Sequence, residues 1–130
     1  MLSAFEPSTA FRVPSTTKAG EFCWQRLYSR DTEASAKFYG ELFDWQTLDN
    51  PANPGGLQTL SGEPIGDIRP RPSWLETDTW VYFIGVQDLP AVSPELERRC
   101  GLVIDTTEIA RRPAIITREP QGALIGFIEA

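Results

Sequence analysis

The chain contains no histidine, and that one gap removes the usual general base, the usual partner of a nucleophile and the commonest metal ligand together. Two cysteines, Cys23 and Cys100, stand among 130 residues. Their spacing suits neither a metal site nor a disulfide scaffold, so both are expected to stay reduced and structural. No apolar run approaches the roughly 20 residues that a membrane-spanning helix needs. The N-terminus lacks the basic stretch and apolar core of a secretory signal, so the expected setting is the cytoplasm, with no membrane partner. Positive charge is scarce as well. The net charge is −6 and the pI about 4.6, and Arg98-Arg99 and Arg111-Arg112 are isolated pairs, which argues against nucleic acid. There is no glycine-rich phosphate loop, and no serine or cysteine sits in a nucleophile elbow.

What is present reads as one α+β domain, the expectation for a chain of this length. Residues 1–20, rich in Ser, Thr, Pro and Ala, read as a flexible arm or a strap. Residues 21–69 form a first module, 70–79 a proline-bearing connector and 80–130 a second module. Phe22 to Tyr28 is β-prone. Asp31 then caps a helix over Thr32 to Phe43, with a core stripe of Ala34 or Ser35, Phe38 and Leu42 expected and Tyr39 and Phe43 packing beside it. Trp45–Leu48, Leu57–Leu60 and Ile65–Ile68 follow as strands, and 49–56 reads as turn material.

The second half repeats the order. Trp80–Val86 is a strand, and Trp80 is expected to pack under the helix that follows it. Ser93 is the expected cap of a short helix with Pro94 in its first position, and Gly101 is its C-cap. Leu102–Thr107, Ala114–Thr117 and Leu124–Ile128 are strands. Leu27, Ser29 and Asp31 match Ile84, Val86 and Asp88 at a constant offset of 57 positions, and Ile65-Gly66-Asp67-Ile68 resembles Ile125-Gly126-Phe127-Ile128. Such matches in the same order indicate an internal duplication.

A twice-repeated βαβββ unit resembles the vicinal-oxygen-chelate superfamily of glyoxalases, extradiol dioxygenases and bleomycin-resistance proteins. The residues that carry the resemblance are Asp31, Ala36, Phe38-Tyr39 and Leu42-Phe43-Asp44-Trp45, then Trp80 to Leu89, then Glu119-Pro120-Gln121-Gly122-Ala123. The resemblance implies two curved mixed sheets, or half-barrels, around a cavity. In metal-dependent members four ligands enter that cavity from the first and last strand of each module. The matching positions here are Trp24, Val81, Gly66 and Gly126. None offers a lone pair to a cation, so neither a metal nor another cofactor is expected.

In this register Trp24, Arg26 and Tyr28 face the cavity from the first strand and Val81 and Phe83 from its counterpart, with Gly66 and Gly126 leaving room. Asp67 and Glu129 are expected to face solvent, and Trp74 to plug the cavity mouth or a dimer contact. An aromatic wall with one guanidinium suits a small aromatic or a carbonyl- or acid-bearing molecule. The first expectation is therefore a metal-free small-molecule-binding protein that forms a homodimer. An enzyme of lyase, isomerase or oxygenase type with a non-standard site, and an interaction protein with a collapsed cavity, are the alternatives.

Overall fold

The computed structural model describes residues 19–51 and 53–129; the expected arm lies outside them except for its last two residues. The elements are β1 (Phe22–Ser29), α1 (Thr32–Phe43), β2 (Gln46–Asn50), β3 (Asn53–Gln58), β4 (Pro64–Pro70), β5 (Thr79–Val86), α2 (Val92–Arg98), β6 (Leu102–Ile109), β7 (Arg112–Arg118) and β8 (Leu124–Glu129). They make a single curved, unclosed sheet of eight strands in the order β2-β3-β4-β1-β5-β8-β7-β6. Both halves run the same way: β1 pairs parallel with β4, β5 pairs parallel with β8, and antiparallel β1 and β5 join the halves at the centre. No described helix is long and apolar enough to cross a membrane.

Alternation along β1 divides the two faces of the sheet. Leu27 points to the convex side and packs with Leu57 and Ile68 beneath Ala36, Tyr39 and Trp45. Trp24 and Tyr28 point to the concave side and join Val81, Phe83, Ile109, Ala114, Ile116 and Ile128 in the larger core.

Asp31 caps α1 by accepting from the Ala34 amide at 3.1 Å, and the helix stops where Asp44 turns left-handed at φ 61°. The helix lies on the surface more than expected. Phe38, Leu42 and Phe43 remain over half exposed, because α1 rests on the sheet through Ala36 and Tyr39, with the Ser35 hydroxyl bonded to that of Ser29.

Several local expectations are corrected. Residues 53–56 belong to strand β3 rather than to a turn. Gly55, at φ 72°, lets the β3 backbone pass so close to β4 that a Cβ there would lie 2.1 Å from the Ile68 carbonyl oxygen. Trp80 lies opposite Leu27 in the sheet, so its ring meets Tyr39 of the first helix rather than the second helix. The second helix starts at Val92, capped by Ala91 after a 3-10 turn over Leu89–Ala91, so Ser93 lies inside it.

At the end of α2 the left-handed residue is Cys100, not Gly101. Cys100 donates to the Glu97 carbonyl and Gly101 to the Leu96 carbonyl, a Schellman closure. Gly101 serves space instead, since a Cβ there would approach the Leu96 side chain to 2.8 Å. The β6–β7 hairpin turns on Ala110 and Arg111, both at positive φ.

Candidate functional site

The centre of the concave face is built from β1, β4, β5 and the far edge strand β6. Trp24, Arg26, Tyr28, Asp67, Val81 and Phe83 are all 5 % exposed or less. Arg26 is expected to face inward and does. Its partner is Asp67, which corrects the expectation of a solvent-facing carboxylate: Asp67 is completely buried. The pairing register sets Arg26 beside Asp67, so both side chains rise from the same face. A guanidinium in an apolar interior needs a counter-charge, and Asp67 supplies it in the two-pronged geometry that arginine favours. Nε donates to Oδ1 at 2.8 Å and Nη2 to Oδ2 at 2.9 Å.

The other donors of Arg26 are also used. Nη1 reaches the Thr107 hydroxyl at 2.7 Å and, at 3.4 Å, the Tyr28 hydroxyl, while Nη2 reaches the Glu108 carbonyl at 2.9 Å. All five N–H groups thus have acceptors. The guanidinium carbon lies 5.8 Å from the Tyr28 ring centre and 5.7 Å from that of Phe83, within cation–π reach. Thr107 and Glu108 sit on β6, at the edge of the sheet. Their bonds to central β1 record how far the sheet curls.

Burial alone would lower the Arg26 pKa. The hydrogen bonds and charge of Asp67 outweigh that and hold it above the ordinary value. A group with a raised pKa contributes stability in full below its unfolded value and loses it only as pH climbs through the folded one. Arg26 therefore gives no pH dependence in the physiological range. Arg69, whose Nε lies 3.6 Å from the second Asp67 oxygen, has its pKa lowered by burial and then by the charge of Arg26.

The two glycines divide. Gly66 lies beside Gln25 on the convex face, where a Cβ would sit 2.2 Å from the Gln25 carbonyl oxygen, so it leaves no space in the cavity. Gly126 is on the concave face opposite Phe83, but the Phe83 ring fills the space: a Cβ on Gly126 would fall 2.3 Å from it. In pairing terms the counterpart of Gly126 is Asp67, not Gly66. Arg26 stands beside Asp67 as Phe83, 57 positions later, stands beside Gly126.

Trp74, on the connector, lies over this core. Its indole meets the Tyr28 ring edge-on at 6.0 Å and donates to Asp105 of β6 at 3.0 Å. Asp67, Thr107, Glu108 and Asp105 were outside the sequence-derived set. An inward arginine without a carboxylate was the available signal for the first of them.

The residues that the strand register brings to equivalent inward places of the two halves are Trp24 and Val81, then Asp67, where Gly66 was expected, and Gly126. Only Asp67 could ligate, and both its oxygens already accept from Arg26. A divalent cation does not fit this set. Among the described residues no group of three or more His, Cys, Asp or Glu side chains comes together as a metal site.

No protein-family model matches the chain, and no curated protein matches it. Solved structures do. Methylmalonyl-CoA epimerase from Mycobacterium tuberculosis superposes with TM-score 0.54 at 13% identity, over 88% of this chain and 91% of that one. A glyoxalase/bleomycin resistance protein/dioxygenase superfamily member from Vibrio splendidus 12B01 gives 0.52 at 16%, over 81% and 94%. A structure described as an NAD-dependent benzaldehyde dehydrogenase from Legionella pneumophila gives 0.53 at 11%, over 82% and 96%. At these identities the likeness concerns the course of the chain alone.

Proposed function

We propose that this vicinal-oxygen-chelate fold serves, without a metal, as a binding protein for a small aromatic or carbonyl-bearing molecule taken onto its concave face, with residues 21–130 as the working unit. One observation carries the reading. The cation at the centre of the aromatic wall is Arg26, bonded at every donor to the protein itself, so a ligand meets a finished wall that needs no ion.

The same bonding narrows the ligand. An acid that captured Arg26 would leave Asp67 buried without its partner, a loss of about 3–5 kcal/mol. A neutral ring with a carbonyl avoids that loss. Trp74 marks the way in, because it is half-buried at the mouth of this face, and the ring of the guest takes the place of the indole at the cost of its one bond to Asp105. No proton-transfer step belongs to this reading, since Arg26 is bonded to both Tyr28 and Asp67.

Titration with 2-acetylnaphthalene, followed by tryptophan emission, is expected to saturate and to be indifferent to EDTA. Trp74→Ala is expected to tighten binding several-fold, because the guest no longer has to displace the indole. Absence of saturable binding in both proteins, each with an intact melting transition, removes the proposal.

A second reading is favoured by the way Phe83 fills the space over Gly126. On it the concave face is simply core, and the protein works through its surface. A homodimer is compatible with either. Phe38, Leu42 and Phe43 of α1 are each over half exposed, and a two-fold copy would cover them. Light scattering should then give the mass of two chains, reduced to one in Leu42→Glu; a monomeric wild type at micromolar concentration removes the dimer. The cytoplasm is the proposed setting, since no disulfide joins Cys23 and Cys100; recovery of the protein outside the cytoplasmic fraction would contradict it.

A further inference from the structure

A cleft of about 470 Å³ opens on the convex side, where the end of β1, the first turns of α1 and the start of β5 meet. Its walls include the rings of Phe38, Tyr39 and Trp80, with Ser35, Arg30 and Asp78 among the polar groups. It lies across the sheet from Arg26 and shares no residue with the concave face.

Most of its polar groups are already engaged. The Ser29 and Ser35 hydroxyls bond each other at 2.7 Å. Asp78 accepts from Arg71 at 3.1 Å and from the Arg30 amide at 3.2 Å, and Asp31 caps the helix. The Trp80 indole donates to the Tyr39 hydroxyl at 3.2 Å, which leaves the Tyr39 proton free to be donated. The Arg30 guanidinium is the exception. It has no hydrogen bond or ion pair among the described residues, although Asp31 and Asp78 line the same cleft, where one caps the helix and the other is paired with Arg71.

The second half of the chain supplies a comparison within the same molecule. A cleft of about 350 Å³ lies under α2 and is lined in part by Asp88, Ala91, Val92, Glu95 and Leu96. These are the positions 57 residues beyond Asp31, Ala34, Ser35, Phe38 and Tyr39. The topology therefore makes a cleft at each helix, whatever its lining. The chemistry differs. Where the first cleft has Arg30, Ser35, Phe38 and Tyr39, the corresponding residues of the second half are Gln87, Val92, Glu95 and Leu96. The second cleft also has Arg99 and Phe127 in its lining, but Arg99 is held by Glu95 at 3.2 Å, so an unpaired cation beside an aromatic pair is not needed to seat a helix on this sheet.

We infer that the first cleft is a binding site for a small planar monoanion, an aromatic carboxylate of one or two rings. The volume falls in the range of small-molecule sites. Arg30 offers the flat two-pronged donor set that matches a carboxylate. Phe38 and Trp80 offer ring faces and edges to the body of the guest, and the Tyr39 hydroxyl a further donor. The ligand differs from that proposed for the concave face in carrying the charge which that face rejects, so either site stands if the other fails.

The test is calorimetric titration of the full chain with 2-naphthoate. Wild type is expected to bind it saturably, and excess 2-acetylnaphthalene is expected not to displace it. Arg30→Gln, an exposed position whose backbone bond to Asp78 is retained, is expected to weaken 2-naphthoate by about ten- to a hundredfold, the worth of a charge-assisted pair. Tyr39→Phe is expected to weaken it by a smaller factor. Arg99→Gln, at the rim of the other cleft, is expected to leave it unchanged. The inference is overturned if wild type shows no saturable binding up to millimolar 2-naphthoate, if Arg30→Gln binds like wild type, or if Arg99→Gln loses as much as Arg30→Gln.

Discussion

Asp67→Ala is expected to lower stability by about 3–5 kcal/mol, the cost of stranding a buried charge, and the melting temperature by about 10–20 °C. Arg26 would keep Thr107, Tyr28 and the Glu108 carbonyl, all neutral, and lose the only carboxylate that bonds it. It cannot turn to water from a fully buried position. The double replacement Arg26→Met with Asp67→Leu removes both charges and both desolvation costs, and is expected to recover most of the loss. Chemical denaturation of the two variants separates the terms. A single-variant cost under about 1 kcal/mol would mean that the pair is solvated, contrary to its burial.

Gly126→Ala comes next, at about 3 kcal/mol, near the upper end for overpacking a core. The added methyl would start 2.3 Å from the Phe83 ring, itself buried and resting against Arg26. The ring has nowhere to go. Phe83→Leu removes the clash, so the double variant is expected to be more stable than the sum of the single effects predicts by at least about 1 kcal/mol. Strict additivity would show that the two positions do not share one space. By the same geometry a carboxylate side chain at position 126 is incompatible with this interior.

The first helix was legible because its signals are local: Asp31 as cap, then apolar residues at helical spacing. So was the face of β1, where Leu27 alternates with Arg26 and Tyr28. The last strand of the first half was not. Ile65 and Ile68 are three residues apart, so they cannot both lie on one face, and the pattern names no inward side. Matching Ile-Gly-Asp-Ile to Ile-Gly-Phe-Ile by identity put Gly66 inward. The register with β1 decides otherwise and brings in Asp67.

The other errors share a cause: the deciding contact is distant in sequence. Trp80 sits beneath the first helix because β5 lies against β1, which nothing near residue 80 reveals. Thr107 and Glu108 meet Arg26 because the sheet curls, a property of all eight strands together. Arg26 and Trp24 were placed on the correct face, yet the closure of that face around them was beyond a single sequence.

Everything turns on the Arg26 guanidinium being the cation that the buried Asp67 carboxylate holds. Equilibrium dialysis of the full chain against Mn²⁺, Ni²⁺ and Zn²⁺, with metal content read per chain, meets that directly. No stoichiometric uptake is expected, and wild type and Asp67→Asn should retain the same trace amounts. One ion per chain in the wild type, lost in Asp67→Asn, would show that the carboxylate serves a metal rather than Arg26.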